Sequence, residues 1–182
     1  VWLQKAMQAY LDCVVVTDHN SGDWIDILNA QYQEMLLNTD DRPEWFREIT
    51  LFPGVEVTVR EGDARIPLLV IFDVASGREA IVSFLGKCEI FSRHGEADND
   101  IVARDFAQVI GIIRKMGGIA IPARLDEGKD LLDRLAKDSA NLNRKFDGVY
   151  AMKLANHRIA DKLDGPLKRI INRSAKVMGS DS

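Results

Sequence analysis

The chain has 182 residues, 46% hydrophobic and 29% charged, enough apolar content for one globular domain with a real core and too much for a disordered tail. Its net charge of −4 excludes an overall basic footprint for nucleic acid, although a local patch can exist on an acidic protein, and no apolar run nears the roughly 20 residues of a membrane helix. Cys13 and Cys88 are distant from each other and neither has a close Cys-His spacing, which argues against a disulfide scaffold or a thiolate zinc site; both read as core thiols of a cytoplasmic protein.

The first ten residues place Trp2, Leu3, Ala6, Met7 and Tyr10 on one helical face, with no capping residue before them. A strand expected ahead of that helix is absent, so an upstream segment is expected. Residues 11–16 form an apolar, β-branched run that stops in Thr17-Asp18-His19-Asn20. A strand thus delivers ligand-type side chains to its carboxyl end, where α/β enzymes gather their sites. A helix follows over about 24–37, with Trp24, Ile27, Leu28, Tyr32, Met35 and Leu36 as its apolar side.

Residues 49–59 read as a strand interrupted by Pro53-Gly54. Glu56 lies between Val55 and Val57, and burying a bare carboxylate costs several kcal/mol, so it either faces solvent beside Thr58 or binds a partner. A turn at 61–64 precedes a continuous apolar run from Pro67 to Asp73. Residues 78–88 suit a helix, 93–99 a polar loop, and 105–116 an amphipathic helix closed by Gly117-Gly118. A short strand over 119–123 leads to Arg124 and Asp126. Further expectations are a helix at 130–136, a strand at 148–154, a helix from about Pro166 to Arg173, and a strand starting at Ala175 and ending in Gly179-Ser180-Asp181-Ser182. This alternation predicts parallel βαβ units in a barrel or doubly wound sheet. Walker A and Gly-x-Gly-x-x-Gly loops are absent from the sequence.

The strand ends offer Asp18 and His19, Glu56, Asp73, Arg124 with Asp126, and Asp181. Oxygen donors with one imidazole suit Zn, Mn, Fe or Mg in a hydrolytic site. His94 and His157 stand in polar surroundings and read as surface residues, while Trp24, Trp45 and Phe46 read as core or loop anchors.

Val15-Val16-Thr17-Asp18-His19-Asn20-Ser21-Gly22, the segment 51–57 (Leu-Phe-Pro-Gly-Val-Glu-Val), the segment 117–123 (Gly-Gly-Ile-Ala-Ile-Pro-Ala) and Gly179-Ser180-Asp181-Ser182 resemble, in order and spacing, the motifs of the polymerase and histidinol phosphatase (PHP) superfamily. The flanking segments most resemble the N-terminal PHP domain of TrlF-type AAA-like ATPases. The resemblance covers nearly the whole chain. It implies a single PHP-type domain over 1–182, built as a distorted (β/α)7-type, TIM-like barrel truncated at both ends. The implied function is a cytoplasmic, metal-dependent phosphoesterase that uses a metal-bound hydroxide. The substrate would be a phosphate ester, with nucleic acid and nucleotides among the candidates, and an ATPase domain would follow in the full-length chain. Carried over by position, His19, Glu56 and Asp181 would be ligands of divalent Zn, Mn or Fe, with Asp18 supporting His19.

Two positions depart from the family pattern, which has histidines where this chain reads Pro67 and Arg124. A guanidinium has no lone pair to give a metal, and like charges about 4 Å apart repel by roughly 4 kcal/mol at an effective dielectric of 20, twice that for a divalent ion. Arg124 is therefore expected to clamp a substrate phosphate in a reduced site. The alternative is a degenerate PHP module that regulates or docks the attached ATPase.

Overall fold

The computed structural model describes residues 1–62, 64–91, 101–124, 139–154, 161 and 165–177. In chain order these form α1 (Trp2–Gln8), β1 (Cys13–His19), α2 (Asp23–Leu37), β2 (Thr50–Glu61), β3 (Ala64–Ile71), a 3-10 turn (Val74–Ser76), α3 (Gly77–Lys87), β4 (Ile101–Asp105) and α4 (Phe106–Lys115). They continue with β5 (Ile119–Pro122), α5 (Ser139–Lys145), β6 (Ala151–Lys153), α6 (Gly165–Arg173) and β7 (Ala175–Val177). The helix expected at 130–136 lies outside the described residues.

The architecture is mixed α/β. Strands follow the order β1-β2-β3-β5, and β4 joins β2 beyond the end of β1. β6 and β7 form a parallel pair tied to β5 by the parallel bridges Ala120↔Val149 and Ala123↔Lys153. Among the described residues the sheet does not close.

The wholly parallel arrangement expected from the sequence is corrected here: β3 runs antiparallel to both β2 and β5. Loop length is the reason. Two residues, 62 and 63, separate β2 from β3, whereas a parallel return needs a dozen or more. Gly62 meets the turn's demand for a left-handed residue with φ 58°.

The break expected at Pro53-Gly54 is also absent, and β2 runs through it. Pro53 needs no donor there, because its carbonyl accepts from Phe72 N at 2.9 Å. Gly54 is required by close approach: a Cβ would stand 2.7 Å from Val15 Cγ1 and 2.9 Å from the Val70 carbonyl oxygen. β4 and α5 had no counterpart in the sequence reading.

One face of the sheet carries the core. Val55, Val57 and Val59 of β2, Ile66, Leu68 and Val70 of β3, and Ala120 of β5 are buried with Ile25, Ile81, Phe84, Val109, Ile110 and Ile113 from the helices. The helical stripes are narrower than expected. α2 buries Ile25 and Leu28 but leaves Trp24 and Ile27 exposed, and α1 buries Leu3, Ala6 and Met7 while Trp2 and Tyr10 face solvent. A helix presents only one stripe to a sheet, so apolar residues at its margins stay outside.

The sheet's other face, with Val15, Thr17, Phe52, Glu56, Thr58, Pro67 and Leu69, is half-buried. Cys13 belongs to this face and is exposed, which corrects its reading as a core thiol; Cys88 is buried as expected, and burial pushes its thiol up to about 11.

α4 is anchored at its start. Asp105 Oδ1 accepts from Gln108 N at 2.8 Å and Gln108 Oε1 accepts from Asp105 N at 3.3 Å, a reciprocal capping box. Glu61, at the end of β2, accepts from Phe106 N at 3.4 Å and pairs with Lys145 of α5.

Candidate functional site

β1 and β2 pair in parallel with His19 directly beside Glu56. Lateral partners in a sheet share a face, so both side chains project from the half-buried side at the carboxyl end of β1. The Glu56 carbonyl accepts from Asn20 N at 2.9 Å, which fixes where the chain leaves the sheet. His19 Nε2 stands 3.8 Å from Glu56 Oε1, with the imidazole 56% exposed and the carboxylate 22%. That spacing is too long for a direct hydrogen bond, yet it sets one nitrogen and one oxygen donor side by side.

The turn after β1 is tight. Asp18 bridges back to Ser21, leaving His19 and Asn20 at its centre, and Asn20 takes φ 51°, which its short amide side chain tolerates. Ser21 Oγ accepts from Asp23 N at 3.2 Å and leads the chain into α2. Asp18 neighbours His19 in sequence and so lies on the opposite pleat, in register with Val55, with its Oδ2 shut off from solvent. A cavity of about 610 Å³ opens behind this turn between α2 and α3, lined by Asn20, Ser21, Arg78, Val82, Leu85 and Phe91. Arg78 is engaged there by Asp23 at 2.6 Å, and that hydrogen bond holds its guanidinium above its ordinary pKa.

Across the sheet from Glu56 lie Leu69 of β3 and then Ile121 of β5. Pro67 sits one pleat further along the same face, in register with Thr58, and its carbonyl accepts from Ala123 N at 2.8 Å. Arg124 follows Ala123 with φ 56° and is exposed. Lys153, which the sequence reading passed over, is the lateral partner of Ala123 and therefore shares this face.

Asp73 leaves the strand-end set. Because β3 runs antiparallel, Asp73 emerges near Pro53, on the far side from Glu56, and its Oδ1 accepts from Ala75 N at 2.8 Å to start the 3-10 turn. Asp126, Asp181, His94 and His157 lie outside the described residues. Among the described residues no three His, Cys, Asp or Glu side chains converge, so the assembled donor set is His19 with Glu56.

This fold has known counterparts. A Bifidobacterium adolescentis protein, to which metal-dependent phosphoesterase activity has been ascribed, superposes with a TM-score of 0.55 at 12% identity, over 98% of this chain and 80% of its own. An amidohydrolase from Chromobacterium violaceum, solved with bound sulfate and no metal, superposes with a TM-score of 0.59 at 15% identity, again over 98% and 80%. At such identities the likeness is one of fold. No protein-family model matches the chain, and no curated protein does.

Also missed from sequence was a pair of arginines above the site. Arg60 and Arg65 face each other across the β2–β3 hairpin and are both exposed. The signal was available: alternation from Glu56 through Thr58 reaches Arg60, and a hairpin centred on residues 62 and 63 sets it opposite Arg65.

Proposed function

We propose that the chain is a PHP-type, metal-dependent phosphoester hydrolase module, its strands completing a distorted TIM-like barrel, joined to an ATPase domain of the TrlF kind. The observation that carries this reading is the pairing of His19 with Glu56 at neighbouring positions of β1 and β2, 3.8 Å apart at a strand end open to solvent. The likeness to the Bifidobacterium protein supports the reaction class.

The donor chemistry fits a divalent ion in part. An imidazole nitrogen and a carboxylate oxygen suit Zn, Mn or Fe, but catalytic zinc usually takes three protein ligands, and Asp181 is proposed as the third. The chemistry such an ion supplies is Lewis acidity and a water acidified toward neutral pH. The chain's own residues do the rest. Glu56 is held by the β1–β2 register, His19 is set by its turn, and Asp18 supports that turn from the opposite pleat. Arg124 offers a planar fork to two phosphoryl oxygens at once.

Arg124 also motivates the second reading, a degenerate PHP module with a regulatory or docking role, since the PHP resemblance expects a histidine ligand at that position and a guanidinium cannot donate to a metal. One experiment separates the two. Calorimetric titration with Mn or Zn, alongside hydrolysis of an aryl phosphate, is run on the full-length protein and on His19→Ala. The hydrolase reading expects stoichiometric uptake, metal-dependent turnover, and at least a tenfold loss of metal affinity in the variant. A wild type that takes up no metal and turns over no more than His19→Ala leaves the docking reading in its place.

A further inference from the structure

Arg60 and Arg65 are direct cross-strand partners on the pleat that carries Glu56, Thr58, Pro67 and Leu69, and both are exposed. Like charges directly opposite each other weaken a sheet, so the arrangement works against the hairpin that holds it. Neither guanidinium has an acidic partner among the described residues. The nearby carboxylates are committed elsewhere: Asp105, the register neighbour of Arg60 on β4, caps α4, and Glu61 turns to the other face to meet Lys145. Two further cations stand on the same rim, Lys153 beside Ala123 and Arg124 after it. Arg60, Arg65, Lys153 and Arg124 thus lie toward one end of the sheet, beyond the His19–Glu56 pair, in a chain of net charge −4.

The distance between the two features decides what this edge recognises. Arg60 lies four residues beyond Glu56 on one continuous strand, about 13 Å at the usual strand rise. The arginine pair is therefore displaced along the strand from the His19–Glu56 pair, leaving room for a phosphate of its own. We propose that Arg60 and Arg65 form a second, remote phosphate subsite, which takes a neighbouring phosphate of an extended phosphate-bearing chain such as single-stranded nucleic acid. This deepens the hydrolase reading by naming a substrate class, but the binding itself does not depend on turnover.

The test uses Arg60→Gln/Arg65→Gln in the full-length protein, with two probes: a short labelled oligothymidylate, which spans both positions, and thymidine 5′-monophosphate, which reaches one. Oligothymidylate affinity is expected to fall roughly tenfold, with the slope of log K against log salt flattening by about 1.4 for two lost contacts, while monophosphate affinity holds. Arg60→Lys/Arg65→Lys, which keeps both charges, is expected to retain most of the salt dependence and guards against a folding defect. Unchanged oligothymidylate binding in the glutamine variant overturns the subsite, and so does an equal loss for both probes, which would mark a diffuse field effect. A wild type that hydrolyses nothing yet shows the arginine-dependent binding removes the hydrolase reading and upholds this one.

Discussion

At the scale of single residues, the chain's chemistry follows from which pleat each side chain occupies. Asp18 and His19 are adjacent in sequence yet serve opposite faces, one against the core and one toward the site. Cys88 shows how strongly the core side discriminates. Burial favours its neutral thiol, so its folded pKa of about 11 lies above the unfolded value near 8.5. The sign follows: below pH of about 8.5 both states hold the proton and the contribution is intact, whereas above it the unfolded chain gives up a proton that the folded chain keeps. Stability is therefore expected to decline as pH rises from about 8.5 toward 11. Urea midpoints measured across that range should show the decline in the wild type and lose most of it in Cys88→Ala, which is weaker overall but lacks the titrating group. Parallel slopes in the two proteins would assign the decline to other groups.

At the scale of elements, the hairpin of β2 and β3 organises its surroundings. β2 carries β1 along its first half and β4 along its second, and its last residue, Glu61, ties α4 and α5 to the sheet. Glu61 and Lys145 are largely buried, so removing the lysine leaves a carboxylate that, among the described residues, has the Phe106 amide to offset its desolvation. Lys145→Met is expected to destabilise the protein by about 3 kcal/mol, and Glu61→Gln/Lys145→Met by clearly less, because the double variant removes both charges of the pair. Chemical denaturation of the three proteins checks this. A double variant as weak as the single one would show that Lys145 acts through packing alone.

Element type was legible where a period or a cap was strong. The β-branched run of β1 and the amphipathic stripe of α4 with its Gly117-Gly118 stop are examples. β4 escaped because Arg104 and Asp105 interrupt its apolar run and leave too short a pattern to recognise. Strand direction was misjudged although the two-residue connection between β2 and β3 already forbids a parallel return.

At the scale of the whole molecule, the candidate site was legible as a set of residue types but not as a set of neighbours. His19 meets Glu56 only because Cys13 pairs with Thr50, and nothing local to either strand fixes that register. The arginine pair was hidden for a related reason, since it depends on the hairpin centre. These pairings also differ in how the chain must find them. The β2–β3 hairpin joins residues three apart at its turn and can form in about 1–10 μs, whereas β1 must reach β2 from residues 13 to 50 and β5 must reach β3 from residues 71 to 119. Loop closure comes first in those cases, and topology then sets the rate. Substitutions inside the hairpin, such as Val57→Ala, are expected to slow refolding, while Val14→Ala in β1 should chiefly speed unfolding; stopped-flow chevrons distinguish the two. The reverse assignment would place β1 in the nucleus. Under the expected order the two arginines come face to face early, while nothing yet holds His19 against Glu56. The growing chain thus sets the arginine pair in place before its candidate site is assembled.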